Sequence, residues 1–291
     1  MDKAFERYIQ GDKNGKRSGK PRFKNDFRYR TMVFDGAKNE WLKFCTVNGK
    51  WLYLKLPKIG LVKVRTHRPL PVGFNLKQVS ITKKSDGWYV NFVLDDPSVP
   101  TFKREEIVPT WDNSMGIDAV LNEDVYLATS EGEILPSLKP LRKNLDKLGK
   151  LQTKKNARKK GQGRRRKLAN REGRLHQQIA RSRKDFHYKT AHKLVGSGKK
   201  VFFHESLNLA GLTKRNKPKQ DVSVAGRSPE GNILTNGQSA KSGLNKSWLD
   251  AAFGQFFSIL GYIAEKAGAV VIEKNPAYTS VRMLESTWVW L

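Results

Sequence analysis

Two acidic residues stand where apolar strands are predicted to end, and carboxylates in that position can do metal chemistry. Asp118 closes the segment Ser114-Met-Gly-Ile-Asp118, and Glu205 closes Val201-Phe-Phe-His-Glu205. A strand end holds a carboxylate on a rigid support, and two such carboxylates can share divalent metal ions that activate water and stabilise a leaving phosphate oxygen. The two acids together therefore predict a metal-dependent nucleic-acid site.

Each acid also has a simpler interpretation. Asp is common at the start of turns, so Asp118 alone could cap the turn that follows it. Glu205 comes at the end of the apolar run that begins Val201-Phe-Phe, and a carboxylate at the end of a buried strand needs a partner such as a metal, an Arg or backbone N–H groups. The metal interpretation is favoured for the two together, because the densest basic run of the chain lies between them.

That basic run covers residues 139–200, which contain 23 Lys and Arg and only three Asp and Glu. A solvated helical face is the alternative, but such a face normally mixes the two signs in many i,i+4 pairs, and this segment has almost no acids to form them. Phosphates would relieve its self-repulsion. The residues predicted to bind nucleic acid are Arg142, Lys143, Lys154, Lys155, Arg158, Lys159, Lys160, Arg164, Arg165, Arg166, Lys167, Arg171, Arg174, Arg181, Arg183 and Lys184.

The overall composition agrees with a polyanionic partner. The chain has 291 residues, 38% of them hydrophobic, and a formal charge of +29, which is more than solubility requires. It contains neither a run of about 18 apolar residues nor a signal-peptide core, so a cytoplasmic, nucleoid-associated protein without membrane contact is expected. Cys45 is the single cysteine, which excludes a cysteine-based zinc site within this chain.

The first part of the chain is predicted to be rich in β-structure. Residues 1–28 form a basic arm, and residues 29–110 contain short alternating strands with turns at Asn48-Gly49 and Ser85-Asp86-Gly87. Asn-Gly is a strong hairpin signal, and several strands at this spacing are typical of a small barrel or sandwich. Pro97, Pro100 and Pro109 mark a linker.

The second part changes to an α/β pattern. A strand, a tight turn and a returning strand are followed by a helical hairpin that breaks at Gly161-Gln-Gly163, and then by the strand that ends in Glu205. Residues 213–243 have too few apolar residues to pack and are expected to be mobile. A helix is predicted to begin at the N-cap Ser247 and to stop at Gly268, before a last strand.

Histidines and aromatic residues are given structural interpretations. His176, His187 and His192 are expected to lie beside phosphate or solvent, because no spacing groups them with other metal ligands. His204 is expected to face the side of its strand opposite to Glu205. Some aromatic residues of the β-rich part could stack on bases, but core packing is favoured for most of them: Trp41, Trp51, Tyr53, Trp88 and Tyr89.

A set of motifs occurs in one order along the chain. The set consists of Pro21-Arg-Phe-Lys24, Gly116-Ile-Asp118, the basic helical pair, Arg183-Lys-Asp-Phe186, Glu205-Ser-Leu-Asn208, Ser247-Trp and Asn275-Pro-Ala-Tyr-Thr-Ser280. In that order and approximate spacing the motifs closely resemble the TnpB (OrfB) proteins of bacterial insertion sequences, relatives of the type V CRISPR effector nucleases. The combination is far more specific than any one motif.

The resemblance implies an α+β protein in which a β-rich, barrel-like wedge domain at 29–110 precedes a RuvC-type domain with an RNase H-like fold at 111–280. It implies a guide RNA made from the transposon end, a target DNA, and cleavage with Mg²⁺ or Mn²⁺. By the family pattern Asp118 is the first RuvC carboxylate and Glu205 the second. Sequence choice is expected to come largely from guide pairing.

The chain also departs from that family's pattern. Its arm at 1–28 corresponds to the late part of a longer recognition segment, and its tail at 281–291 stands where a four-cysteine zinc ribbon and a third catalytic Asp are expected. Both ends are therefore expected to be truncated, the RuvC domain incomplete and the nuclease weak or inactive. Two other functions stay open, namely a non-catalytic RNA- or DNA-binding protein, such as a guide-dependent repressor or decayed transposon product, and a basic RNA-scaffold protein of ribosomal type.

Overall fold

The computed structural model describes residues 2–276 apart from 13, 23–28, 45–49, 68, 123, 218 and 221–232. It divides into two compact units, Met1–Pro97 and Ser98–Leu291, whereas the sequence places the division near residue 110. Several predictions fall outside the described residues, namely the Asn48-Gly49 turn, the centre of the segment expected to be mobile, and the tail at 281–291.

The first unit consists of a short helix and two antiparallel sheets of three strands each, ordered β1-β5-β6 and β2-β3-β4. The predicted hairpin at Ser85-Asp86-Gly87 is confirmed, because Lys84 pairs with Gly87 across the turn. The described strands do not close into a barrel, which corrects the barrel-like expectation. The elements are α1 Asp2–Ile9, β1 Thr31–Asp35, β2 Leu42–Phe44, β3 Trp51–Leu56, β4 Gly60–Arg65, β5 Asn75–Lys84 and β6 Gly87–Asp95.

Strand alternation explains the core of this unit. Leu52 and Leu54 of β3 are fully buried, as is Val79 of β5, whereas their neighbours along each strand point to the opposite face. The apolar faces of the two sheets share one hydrophobic cluster. Each sheet therefore keeps one face available to solvent.

The second unit has a five-stranded mixed sheet, ordered β13-β10-β7-β8-β9. Strands β13, β10 and β7 run parallel to one another. β8 is antiparallel to β7, and β9 is antiparallel to β8. The elements are β7 Ser114–Ala119, β8 Val125–Thr129, β9 Ile134–Pro136, α2 Leu145–Asn156, α3 Gly163–Val195, β10 Val201–Glu205, α4 Leu209–Leu212, β11 Lys219–Gln220, β12 Ile233–Leu234, α5 Gln238–Ala251, α6 Phe253–Lys266 and β13 Val270–Lys274.

The core of this unit lies between one face of the sheet and the helices α3 and α6. Met115 and Phe202 contribute from the sheet, and Leu194 and Leu260 from the helices, all at 2% exposure or less. The apolar runs that predict β7 and β10 are therefore the strands at the centre of the fold. The predicted helical hairpin is also confirmed, with α2 and α3 separated by residues 157–162.

The predicted start of a helix at Ser247 is wrong. Helix α5 begins nine residues earlier, at Gln238, inside the segment expected to be mobile. A break at Ala252, which has φ 49° and ψ 48°, then separates α5 from α6. The capping pattern misleads because the carboxylate of Asp250, three residues after Ser247, binds backbone N–H groups elsewhere. Within the described part of the chain, the helices lack the length and apolar character that crossing a bilayer requires.

Candidate metal and nucleic-acid site

Asp118 and Glu205 lie side by side on neighbouring strands. β7 and β10 are parallel, and Ile117 pairs with His204, so each acid comes one residue after that pair. Adjacent strands are about 4.8 Å apart. The structure thus brings the two predicted acids together at the carboxyl edge of the sheet.

Both carboxylates face away from the hydrophobic core. Met115 and Ile117 of β7 are buried against the helices. Asp118 is exposed, and it lies on the opposite face of β7 from Ile117 because side chains alternate along a strand. Glu205 is likewise exposed. Neither carboxylate makes a hydrogen bond or an ion pair with any other described residue. Both are accessible to a cation, although no cluster of three or more metal-ligating side chains occurs among the described residues.

Lys274 extends this edge and was missed by the sequence analysis. It pairs with Glu205 across β10 and β13, and its Nζ lies 5.7 Å from the centre of the Phe203 ring. The sequence carries no signal for this role, because Lys274 is a single lysine in a short strand outside the basic run at 139–200. A cation beside the two acids can contact a phosphate that approaches them.

His204 lies on the other side of the sheet, as the alternation of its strand predicts. Its ring stacks on Phe257 of α6 with centroids 3.8 Å apart. Its Nδ1 lies 2.9 Å from the backbone oxygen of Glu205. His204 therefore supports the strand end and is turned away from the two carboxylates.

Four of the sixteen residues predicted to bind nucleic acid are engaged inside the protein. Arg165 donates to the carbonyl oxygens of Lys155 and Arg158, 2.9 and 2.8 Å away, and so closes the end of α2. Lys155 pairs with Glu172 of α3 and lowers the pKa of that carboxyl through a hydrogen bond. Arg142 and Arg183, the other two, contact α5.

The other twelve are exposed on the helical hairpin and next to it. They are Lys143, Lys154, Arg158, Lys159, Lys160, Arg164, Arg166, Lys167, Arg171, Arg174, Arg181 and Lys184. Acidic partners are scarce because the hairpin contains so few acids, so most of this charge is available to an external polyanion.

The chain is similar in sequence to known proteins. A family model described as a probable transposase, OrfB_IS605, matches residues 98–216. The Escherichia coli (strain K12) protein "Putative RNA-guided DNA endonuclease InsQ" is 27% identical over 289 aligned residues, which cover 97% of this chain and 62% of that relative. The chain is thus similar to OrfB_IS605 transposases over residues 98–216 and to InsQ over most of its own length.

A solved structure shows a looser likeness to this chain. The structure titled "Cryo-EM structure of the Cas12f1-sgRNA-target DNA complex" is 12% identical, with a TM-score of 0.30, over 86% of this chain and 54% of the other. A TM-score this low does not establish a shared fold.

Asp250 is a second residue whose role the sequence pattern did not predict. It is 2% exposed, and its carboxylate accepts hydrogen bonds from the backbone N–H groups of Leu141 and Arg142 and from Nη2 of Arg183. The segment Ser247-Trp-Leu-Asp250 resembles a helix cap in sequence, which concealed this role. Asp250 fixes the start of the basic hairpin against α3 and α5.

The predicted position of His187, beside phosphate or solvent, is wrong. His187 is fully buried, and its Nε2 lies 3.0 Å from the hydroxyl of Tyr126 and 3.1 Å from the carbonyl oxygen of Ala251. Burial lowers the pKa of His187 to about 4 and raises the pKa of Tyr126. Because His187 is surrounded by apolar groups of the core, it is a neutral packing residue.

A cavity of about 430 Å³ lies on the helical side of this unit. Its walls include Tyr126, Arg183, His187 and Asp250, but neither Asp118 nor Glu205 lines it. The cavity is therefore distinct from the exposed edge that carries the two carboxylates.

Proposed function

We propose that this chain acts as a TnpB-type RNA-guided DNA endonuclease in which Asp118 and Glu205 hold divalent metal ions. The observation that carries the proposal is the parallel pairing of β7 with β10, which sets these two exposed carboxylates on adjacent strands. The simpler alternatives, a turn cap for Asp118 or an arginine partner for Glu205, find no support, because neither carboxylate makes a hydrogen bond or ion pair with a described residue.

The donor set fits Mg²⁺ or Mn²⁺, since both ions prefer carboxylate oxygens and retain bound water. When bound, such an ion supplies a Lewis acid for a phosphodiester oxygen. The residues of the chain orient the substrate. Lys274 would contact the phosphate at the edge, and the exposed cations of α2 and α3 would hold the backbone of the polymer.

For the partners we propose a guide RNA from the transposon end and a target DNA. The support is the family and the name of the relative InsQ, together with the exposed cations of the hairpin. In this proposal residues 111–280 act as a RuvC-like nuclease domain and residues 29–110 as a wedge domain. Pairing with the guide would select the DNA sequence, and the protein would read backbone shape.

We also expect the 291-residue chain to cleave weakly or not at all. Two-metal catalysis generally draws on about three or four ligands placed with sub-ångström tolerance, and the proposal names two, Asp118 and Glu205. A non-catalytic RNA- and DNA-binding function is therefore the second candidate. The observation that favours it is the large exposed cationic surface of α2 and α3.

One experiment tests both functions. Supercoiled plasmid carrying a matching target is incubated with Mg²⁺, the transposon-end RNA and the wild type, the Asp118→Ala variant or the Glu205→Ala variant. Glu273→Ala is the matched control, because this exposed acid lies on β13 and pairs with His204, which faces away from the site. Binding of Mn²⁺ is measured in parallel by electron paramagnetic resonance.

The endonuclease proposal predicts that Mn²⁺ binding falls at least tenfold in both site variants and stays unchanged in Glu273→Ala. Cleavage that depends on Asp118 and Glu205 would establish the activity and refute the expected weakness. Equal RNA binding by the wild type and by a double variant that carries both Asp118→Ala and Glu205→Ala, without cleavage by either, would establish the non-catalytic function. Unchanged Mn²⁺ binding by the double variant would refute the metal role of both acids.

A further inference from the structure

Lys274 lies on the same face of the five-stranded sheet as the two carboxylates. It pairs with Glu205 in the parallel register of β10 and β13, and residues paired across neighbouring strands point to the same face. Its Nζ lies 5.7 Å from the ring centre of Phe203, and Phe203 precedes Glu205 by two residues on β10. The ammonium group therefore belongs to the surface that carries Asp118 and Glu205.

This ammonium group neutralises neither acid. Lys274 and Glu205 are paired residues, yet no ion pair joins Lys274 to Glu205 or to Asp118 among the contacts of the described residues. The lysine lies near the Phe203 ring instead. Both carboxylates thus keep their oxygens open to an ion from solution, while a positive charge on a flexible stem stands on the neighbouring strand.

The three parallel strands of the sheet end in different chemistry. β7 and β10 each carry an acid at this edge, whereas β13 carries Lys274 at the position paired with Glu205. An ammonium group has three donors and no acceptor, so it can donate to a phosphate oxygen but cannot bind a metal ion. A cation therefore occupies the strand position from which a third ligand could have come.

The formal charges at this edge match one divalent ion better than two. The two carboxylates and Lys274 together carry one net negative charge. One divalent ion changes this to a single positive charge, which one phosphodiester group cancels. Two divalent ions would leave three positive charges, and like charges this close repel one another. No third metal-binding side chain joins the two acids among the described residues to offset that excess.

We infer that this edge binds one divalent ion at a time, and that Lys274 supplies the positive charge that a second ion would otherwise provide. The inference rests on the proposed function, because it takes Asp118 and Glu205 as the ligands of the ion. It narrows the number of ions to one. It also gives the phosphate contact of Lys274 a specific purpose, which is to replace a metal ion through a charge-assisted hydrogen bond.

Lys266 provides a matched control in the same unit. Its Nζ lies 5.4 Å from the ring centre of Tyr262, so it makes the same kind of cation–π contact as Lys274, and both lysines are exposed. Lys266 belongs to α6, which packs on the opposite face of the sheet. Its removal takes away an exposed ammonium group without changing the charge beside the two carboxylates.

The test measures Mn²⁺ binding to the full chain in the absence of nucleic acid. Calorimetric titration gives the number of ions per chain and their dissociation constants, and electron paramagnetic resonance distinguishes an isolated Mn²⁺ ion from a spin-coupled pair. Lys274→Met removes the charge but keeps a long side chain, and Lys274→Glu places a third carboxylate at the edge. Lys266→Met is the control, and Asp118→Ala and Glu205→Ala identify the site.

The wild type should bind one Mn²⁺ ion per chain and give the signal of an isolated ion. Lys274→Met should tighten this binding roughly three- to tenfold, because the repulsion from a neighbouring unit charge in a water-exposed site is removed. Lys274→Glu should tighten it further and admit a second ion, seen as a spin-coupled pair. Lys266→Met should change neither the number of ions nor the affinity.

A second measurement tests the phosphate contact. Dimethyl phosphate is a singly charged phosphodiester, and bound Mn²⁺ accelerates the ³¹P relaxation of any molecule that approaches it. This acceleration should be smaller in Lys274→Met than in the wild type at equal Mn²⁺ occupancy. Lys274→Arg, which keeps the charge, should retain most of it. All variants are compared at the wild-type circular dichroism spectrum and melting temperature.

The inference is overturned if the wild type binds two ions, or if Lys274→Met binds Mn²⁺ no more tightly than the wild type. It is equally overturned if Lys266→Met changes the affinity as much, or if Lys274→Met relaxes dimethyl phosphate as the wild type does. When Asp118→Ala and Glu205→Ala abolish Mn²⁺ binding, these outcomes refute only the role of Lys274. Mn²⁺ binding that is unchanged in both alanine variants would refute the proposed metal site itself.

Discussion

Arg183 and Asp250 form an ion pair across 67 residues of sequence, with Nη2 of the arginine 2.9 Å from Oδ1 of the carboxylate. The Asp250 side chain is 2% exposed and the Arg183 side chain 18% exposed. The same carboxylate accepts the backbone N–H groups of Leu141 and Arg142. One buried acid therefore joins the middle of α3, the start of the basic hairpin and the end of α5.

The first prediction concerns this junction. Asp250→Ala should destabilise the protein by about 3–5 kcal/mol, because it leaves a largely buried arginine and two N–H groups without an acceptor. Arg183→Met should cost less, since Asp250 keeps its two backbone donors and Met fills much of the space. Urea unfolding monitored by circular dichroism measures both. A larger loss for Arg183→Met than for Asp250→Ala would contradict this account.

The second prediction concerns pH. Because burial lowers the pKa of His187 to about 4 in the folded state, below the usual value of about 6.5, neutral His187 contributes its full stabilisation above about pH 6.5. That contribution is lost as the pH falls through the folded pKa, at up to about 1.4 kcal/mol per pH unit. His187→Gln should therefore show a shallower loss of unfolding free energy between about pH 6.5 and 4.

The control for this pH dependence is His176→Gln, because His176 lies on the same helix but is exposed. Its unfolding free energy should follow the wild-type pH profile. Identical profiles for the wild type and His187→Gln would show that His187 does not titrate with unfolding.

The third prediction concerns the break between α5 and α6. Ala252 has φ 49° and ψ 48°, a left-handed conformation that costs a residue with a Cβ about 1 kcal/mol. Ala252→Gly should raise the stability by up to that amount, and the melting temperature by about 2–4 °C. Ala180→Gly, at an exposed position in the interior of α3, should lower stability by about 0.5–1 kcal/mol. A loss of stability in Ala252→Gly would show that the backbone of Ala252 is not strained in the wild type.

The fourth prediction compares two adjacent arginines of α3. Arg166 is exposed, so Arg166→Ala should reduce the salt slope of nucleic-acid binding by about 0.7–0.9 without changing the melting temperature. Arg165 donates to carbonyl oxygens at the end of α2, so Arg165→Ala should lower the melting temperature. Anisotropy titrations and thermal melts measure the two effects. The assigned roles would be contradicted if Arg166→Ala lowered the melting temperature and Arg165→Ala changed only the salt slope.

The local sequence pattern was sufficient to predict the main elements of the second unit. The apolar runs before Asp118 and Glu205 predicted β7 and β10, and the glycine-bounded break at 161–163 predicted the helical hairpin. These features depend on side-chain periodicity over a few residues, which a sequence displays directly. Local pattern failed at Ser247, where a capping signature lies inside a helix because its acid is bound by distant N–H groups.

The sequence by itself determined which chemical groups and motifs this protein carries: two acids at strand ends, a concentrated basic hairpin and a family pattern. Only the tertiary structure decided which residues meet. It set Asp118 beside Glu205, added Lys274 to their edge, and turned Trp51 outward. The physical reason is that strand pairing and burial join residues far apart in the chain, and no local spacing encodes those partners.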